Sequence, residues 1–450
     1  MRKALMLLAL LSTAAIAQDM TAQPPAAAAP QAGLSVDVTD TTGDDLRIAV
    51  PVLATDEVRQ TVAGPTDVLG RQIADVIASD LRGSGLFRPL GPSGMPTVTF
   101  GQANAPNFAI WPQTGAEALV SGFVRAGGDG QLTVGCYLYD VNLRSELKRT
   151  GFVVAPRDWR RAAHKCADMI YSRLSGESPF FDSRIAYIAE TGPKDKRVKR
   201  LAIMDSDGAN HRFLTNGQNL VLTPRFSPDY KSIVYVSYQG QRPHVFVYDV
   251  GTGQQRLVLN SPHQVIAPRF SPDGRTLLFS MSQGGNTDIY KMPATGGTPV
   301  RLTNSPGIDV GGSFSPDGSR IVFESDRSGK QQLYVMNADG SNQQRITFSG
   351  GSYATPEWSP RGDLIAFTRL GSFRVGVMSP SGGGERLLTD GWQDESPTWS
   401  PNGRVIQFFR TSQGRGGKSN VWQVDLTGRN SRKLPTPVDG SDPTWGPLLP

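Results

Sequence analysis

Pro268-Arg269-Phe270-Ser271-Pro272-Asp273-Gly274 is one copy of a stretch that returns through the C-terminal half of the chain. The other copies are Pro224-Arg225-Phe226-Ser227-Pro228-Asp229, Gly312-Ser313-Phe314-Ser315-Pro316-Asp317-Gly318, Pro356-Glu357-Trp358-Ser359-Pro360-Arg361-Gly362, Pro397-Thr398-Trp399-Ser400-Pro401-Asn402-Gly403 and Pro443-Thr444-Trp445-Gly446-Pro447. From each Ser to the next, with Gly446 standing for the last, the steps are 44, 44, 44, 41 and 46 residues. A period of this length, filled with short strands and turns, predicts a β-propeller with one repeat per blade.

The motif has turn chemistry. Ser suits the first position of a type I turn, Pro presets φ at the second, Asp is tolerated at the third and Gly fits the fourth. The preceding aromatic sits at a strand end, where a flat ring packs between blades. After each turn come β-rich runs such as Ile321-Val-Phe and Leu333-Tyr-Val-Met, then a Gly-rich turn and a last run such as Arg345-Ile-Thr. That makes four strands per repeat. The unit starting at Arg184-Ile-Ala-Tyr-Ile-Ala lacks a strand before it, and Pro443-Thr444-Trp445 lacks anything after it. The C-terminal strand is therefore expected to complete the first blade, closing six blades with no open edge.

Upstream, Arg2, Lys3, the apolar run Ala4 to Ile16 and Ala15-Ile16-Ala17 predict a signal peptide over residues 1–17, hence an exported protein. No later run is long enough to span a membrane. Gln18 to Gly33 is an Ala/Pro/Gln-rich arm that cannot build a core. Leu34 to Asp45 alternates weakly, and reads as an edge strand or a peptide that pairs with something else. Residues 34–175 read as a small α/β domain. Its first helix, Thr66 to Arg82, carries Leu69, Ile73, Val76, Ile77 and Leu81 on one face. Asp158 is expected to N-cap its last helix, which carries Trp159, Ala163, Cys166 and Ile170. Cys136 and Cys166 point into the same small core; an exported compartment permits a disulfide, and two buried thiols are the alternative. The fold class is thus multidomain: a small α/β N-terminal domain, then an all-β six-bladed β-propeller over 183–450.

The formal charge of +6 falls to +4 without Arg2 and Lys3, which is small for 450 residues. The one dense basic run, Lys194 to Arg200, reads as a hairpin turn, so no nucleic-acid partner is expected. Enzyme motifs are missing. There is no G-x-S-x-G, and Gly417-Lys418-Ser419 has Ser412 where a P-loop needs Gly. Asp205-Ser-Asp-Gly begins like a calcium loop but lacks the remaining ligands. The histidines His164, His211, His244 and His263 have no metal-ligand spacing. Neither a cofactor nor a metal is expected.

In a propeller, the loop leading into each inner strand lines one mouth of the channel. Those loops hold His263, Gln264 and Ala267, then Ile308, Asp309 and Val310, then Ser352 and Tyr353. Trp392, Gln393, Asp394 and Glu395 follow, and Asp439, Ser441 and Asp442 close the series. Apolar anchors in a polar ring suit a protein interface. The plainer reading is that these residues only shape loops.

Beyond the repeats, Asp80-Leu-Arg-Gly-Ser-Gly-Leu-Phe, Gly115-Ala-Glu-Ala-Leu-Val-Ser-Gly, His164-Lys-Cys-Ala-Asp-Met-Ile-Tyr, Ser183-Arg-Ile-Ala-Tyr-Ile and the terminal Trp445-Gly-Pro carry a resemblance. From Leu34 to Pro450 the chain is similar to the TolB family, the periplasmic component of the Tol–Pal system. The resemblance implies a non-enzymatic adaptor that binds the lipoprotein Pal through its propeller and TolA through its mature N-terminal segment. It implies a role in outer-membrane integrity and in constriction at division, and a propeller site that some colicins exploit. Here Leu34, Val36, Val38, Asp40, Asp44 and Asp45 fall on the segment that resembles the TolA-binding one, which in the family switches between docked and free states. The arm 18–33 before it departs from the pattern. The family's Pal site uses the loop before an Ala-Pro-x-Phe-Ser-Pro copy, which points to His263 and Ala267. The alternative, of another class, is a secreted propeller enzyme or carbohydrate-binding module with a site in the channel.

Overall fold

Each Ser-Pro turn closes on its own side chains. In the computed structural model, Ser271 Oγ donates to Asp273 Oδ1 at 2.5 Å and accepts the Thr276 N–H at 3.0 Å, while the Gly274 N–H closes the turn on the Ser271 carbonyl at 2.8 Å. Ser227 with Asp229, Ser315 with Asp317 and Ser400 with Asn402 repeat the arrangement. Gly274, Gly318, Gly362 and Gly403 end these turns at φ between +67° and +79°, where a side chain is strained. Tyr230 occupies this position in its copy at φ +66°. Its ring stacks on Phe226 at 5.5 Å.

The structure describes residues 34–38, 45–193, 196–414 and 416–450. The signal peptide, the Ala/Pro arm, Asp40 and Asp44 lie outside them. Six four-stranded antiparallel sheets succeed one another from residue 183. The first joins Ser183–Thr191, Val198–Asp205 and Arg212–Phe213 to the last strand of the chain, Asp439–Leu448. Trp445 lies opposite Ile185 in that pairing, and Thr444 opposite Ala186. The expected closure of the ring is therefore present, with every inner strand paired.

The N-terminal domain is a five-stranded sheet in the order 87–90, 46–49, 118–126, 132–140, 145–154. The first two pairings are parallel and the rest antiparallel. Helices Thr66–Gly83 and Trp159–Ser175 cover one face. Leu69, Ile73, Ile77 and Leu81 from the first meet Ala163, Cys166 and Ile170 from the second, over Ile48, Val120, Val134 and Leu138. Each of the Leu, Ile and Val side chains, fully buried, contributes about 1.5–3 kcal/mol. Cys136 and Cys166 are bonded, with Cα atoms 6.0 Å apart, so the sheet and last helix are joined covalently. Asp158 does not cap that helix through its side chain. A 3-10 turn over Pro156–Asp158 leads into the helix, giving Asp158 φ −99° and ψ 15° instead of the extended geometry a cap needs.

The same core continues into the ring. Ile185, Tyr187, Val405, Val421, Leu434 and Trp445 belong to one apolar cluster with both helices. The connector is held by Asp168, whose buried carboxylate accepts the N–H groups of Phe180, Phe181 and Asp182 at 2.7–3.0 Å. Burial pushes this carboxyl up to about 6 even against those three donors. Asn402, from the Ser-Pro turn of the sixth blade, donates to Tyr171 Oη at 3.2 Å and to the Ser178 carbonyl at 3.0 Å. The N-terminal domain thus sits on the face carrying the Ser-Pro turns.

Candidate functional site

All six inner strands carry the same irregularity. Against its neighbour, each advances three residues where the neighbour advances two: Leu222 to Arg225, Ile266 to Arg269, Val310 to Ser313, Ala354 to Glu357, Glu395 to Thr398 and Ser441 to Thr444. That is one β-bulge per blade. At the bulge stand Thr223, Ala267, Gly311, Thr355, Ser396 and Asp442, with φ between +47° and +69°. Only one of the six is glycine. Residues with side chains rarely take this conformation, and clusters of such strain mark functional sites. Pro follows the bulge in five blades, at 224, 268, 356, 397 and 443, and contributes no N–H to the disturbed ladder.

The N–H groups released by the bulges go to the neighbouring blade. Thr355 N–H donates to Glu324 Oε2 at 3.1 Å, and Gly311 N–H to Ser280 Oγ at 3.2 Å. The Thr223 N–H lies near Asp442 and favours its charged form. Burial raises Glu324 to about 7, and the Thr355 N–H only partly offsets this. Burial also raises Asp442 and Glu395, and Asp442 adds repulsion at Glu395. Sequence reasoning missed Glu324. Its signal was a carboxylate in the second strand of its blade, where the preceding blade has Ser280 and the following one Thr368.

The expected rim residues divide into two groups. Asp309, Tyr353 and Asp394 are fully buried and brace their own blades, so the expectation that they present side chains at a rim is corrected. Asp394 accepts Arg410 Nε at 2.6 Å and Nη2 at 2.8 Å; Asp309 pairs with Arg327 at 2.7 Å. Tyr353 Oη donates to Glu385 at 2.6 Å and lies under the Arg369 guanidinium. A buried carboxylate is expensive unpaired, and in these two blades an arginine of the same blade pairs with it. The second group stays accessible. Trp392 is 62% exposed, Ile308 is exposed, and His263, Gln393 and Val310 are half-buried. Gln264 is exposed, with its amide on Tyr238 Oη. Ala267, Glu395 and Asp442, half-buried, belong to the inner strands and not to loops. Phe348, 73% exposed, lies in the connection between the fourth and fifth blades and was not anticipated.

The N-terminal region over residues 34–147 matches the model of the TolB amino-terminal domain, and residues 171–449 match that of the TolB beta propeller domain. The chain belongs to the TolB family. It is similar to Tol-Pal system protein TolB 1 of Novosphingobium aromaticivorans, at 68% identity over 98% of both chains. It is also similar to Tol-Pal system protein TolB of Zymomonas mobilis, at 63% identity over 99% of this chain and 97% of the other. The crystal structure of TolB from Acinetobacter baumannii superposes with a TM-score of 0.78, at 27% identity over 92% of this chain and all of that one. The chain is on this ground a component of the Tol–Pal system.

At the start of the TolB amino-terminal domain, residues 34–38 lie against the fold without joining a sheet. The Val36 N–H donates to the Leu174 carbonyl at 2.8 Å, and Leu34 and Val36 pack on the core shared by both domains. Val38 is half-buried and Asp45 exposed. A cavity of about 150 Å³ separates Ser35 to Asp37 from Asp45, Leu46, Gly85, Leu86 and Arg429. Nearby, the two TolB domains share a buried charge cluster. His164 Nδ1 is 2.7 Å from Asp80 Oδ2, Asp207 from the first blade approaches both, and Arg160 pairs with Asp207. Burial pulls His164 down, but Asp80, Asp207 and Asp205 more than reverse this and raise it to about 9. Raised so far, the imidazole carries a proton at neutral pH, while burial raises its partner Asp80 as well. The basic run ending at Arg200 is also spent internally: Arg197 and Lys199 both pair with buried Glu190. Among the described residues no helix is long and apolar enough to cross a membrane.

Proposed function

We propose that this TolB-family chain is a non-enzymatic periplasmic adaptor. It binds the Pal lipoprotein at the channel mouth where the inner strands begin, and TolA through residues 34–45. In that role it supports outer-membrane integrity and envelope constriction during division. The observation that carries the reading is the group of exposed Trp392, Phe348 and Ile308 on successive blade-to-blade connections, on the side away from the N-terminal domain. Exposed aromatics around a polar, half-buried centre are what a protein partner's hot spots need. The acids of the channel favour this reading over a channel enzyme. Glu324 accepts the Thr355 N–H, a structural use of its carboxylate.

The N-terminal segment suits a switch because its described residues lie outside the sheets, and the contacts seen include the Val36 backbone hydrogen bond and the half-buried side chains of Leu34 and Val36. Such a contact is worth only a few kcal/mol, within reach of a partner's differential affinity. Calorimetric titration of the soluble domain of Pal tests the first assignment, and a deletion of residues 18–45 tests the second. The deletion is expected to lose TolA and keep Pal. Retained TolA binding by the deletion would refute the role of the segment. Full Pal affinity after Trp392→Ala, Phe348→Ala and His263→Ala would move the Pal site to another face.

A further inference from the structure

The residue just before the aromatic in each repeat faces one shared cavity. Arg225, Arg269, Ser313, Glu357, Thr398 and Thr444, one from each inner strand, line a single cavity of about 240 Å³ at the Ser-Pro end of the channel. Ser313 and Glu357 serve there as acceptors for the next blade. Ser313 Oγ takes the Trp358 N–H at 3.1 Å, and Glu357 Oε1 takes the Trp399 N–H at 3.1 Å and the Thr398 hydroxyl at 2.8 Å. Arg225 and Arg269 put donors at the equivalent place. Their side chains are only 13% and 11% exposed.

Two guanidinium groups here share one carboxylate. Arg269 pairs with Glu357 Oε2, whereas Arg225 Nε stands 3.8 Å from that oxygen, beyond a hydrogen bond. The Nε atoms of both arginines are buried and have no partner. Burial, with repulsion from Arg269, pulls Arg225 down to about 10, so it remains a cation at neutral pH. The cavity therefore has two unpartnered arginine Nε–H donors beside a single lining carboxylate, which is already engaged by Arg269, Trp399 and Thr398. A donor excess in a small desolvated space is the recognition chemistry of an oxyanion.

We propose that this end of the channel binds a small oxyanion, a phosphate or a carboxylate, between Arg225 and Arg269. It is separate from the Pal and TolA surfaces and does not rest on them. The two sources are told apart by calorimetric titration of the purified full chain with inorganic phosphate and with acetate, at constant ionic strength. Saturable one-to-one binding of one ion is expected. Glu357→Gln keeps an acceptor for Trp399 and Thr398 but removes the competing charge, and is expected to tighten binding about tenfold. Arg225→Met and Arg269→Met are expected to abolish it, with melting curves checking that each variant folds. Absence of binding to both the wild type and Glu357→Gln up to about 10 mM, where even a weak charge-assisted site registers, would overturn the proposal. Weaker binding by Glu357→Gln than by the wild type, in a folded variant, would overturn it too.

Discussion

Trp445→Ala is the sharpest test of how the ring is closed. Trp445 lies near the end of the chain, yet only 7% of it is exposed. Its ring lies 5.9 Å from that of Phe180 in the connector, and its Nε1–H donates to Ser183 Oγ at 2.8 Å on the strand it pairs with. It thus joins the first blade, the connector and the core that both domains share. Truncating such a residue costs about 3–5 kcal/mol, part lost transfer energy and part cavity. At this domain size about 2 °C is lost per kcal/mol, so a fall of about 6–10 °C in Tm is expected. Trp445→Phe keeps most of the packing and drops the hydrogen bond, and is expected to cost about 1–2 kcal/mol. Deleting 439–450 removes the whole inner strand and leaves Ser183–Thr191 with an open edge, so the propeller should no longer fold cooperatively. Thermal melts followed by circular dichroism decide the matter. A Trp445→Ala variant melting within about 2 °C of the wild type, less than 1 kcal/mol at this size, would refute the argument that this strand locks the ring.

Protonated His164 should make stability depend on pH. Its folded pKa is raised to about 9, so its contribution is complete below about 6.5, declines between, and is gone above about 9. About 3 kcal/mol is the order of the loss, and His164→Asn should flatten this limb of a denaturation profile taken from pH 6 to 10. At the channel mouth, Trp392→Ala should weaken Pal binding by about 1–3 kcal/mol in calorimetry with the Tm unchanged. Asp394→Ala should lower the Tm instead, because it strands Arg410 in the blade, at a cost of about 3–5 kcal/mol. Replacing Cys136 and Cys166 by Ser should cost about 3–4 kcal/mol in chemical denaturation, for a bridge closing a separation of 30 residues.

What could be read from the chain alone was what local chemistry dictates. Ser-Pro-Asp-Gly makes its turn from its own side chains, and a strand period of 2 follows from alternation, so blade number and the closing role of Pro443 to Trp445 were legible in the repeat. The helices Thr66–Gly83 and Trp159–Ser175 were legible in the spacing of their apolar faces. The site was legible in position and not in exposure. A repeat locates Asp394 and Trp392 two residues apart at the start of one inner strand, but only the packed blade shows that the first is buried against Arg410 and the second is left 62% exposed. The six bulges could not be read from the chain, since Thr223, Ala267, Thr355, Ser396 and Asp442 are ordinary in one dimension and take positive φ only where inner strands converge. The pairing of Cys136 with Cys166, the burial of His164 between two carboxylates and the meeting of Arg225 with Arg269 and Glu357 depend on residues far apart in sequence. Their free energies come from distance and desolvation, quantities that exist only once the chain has folded.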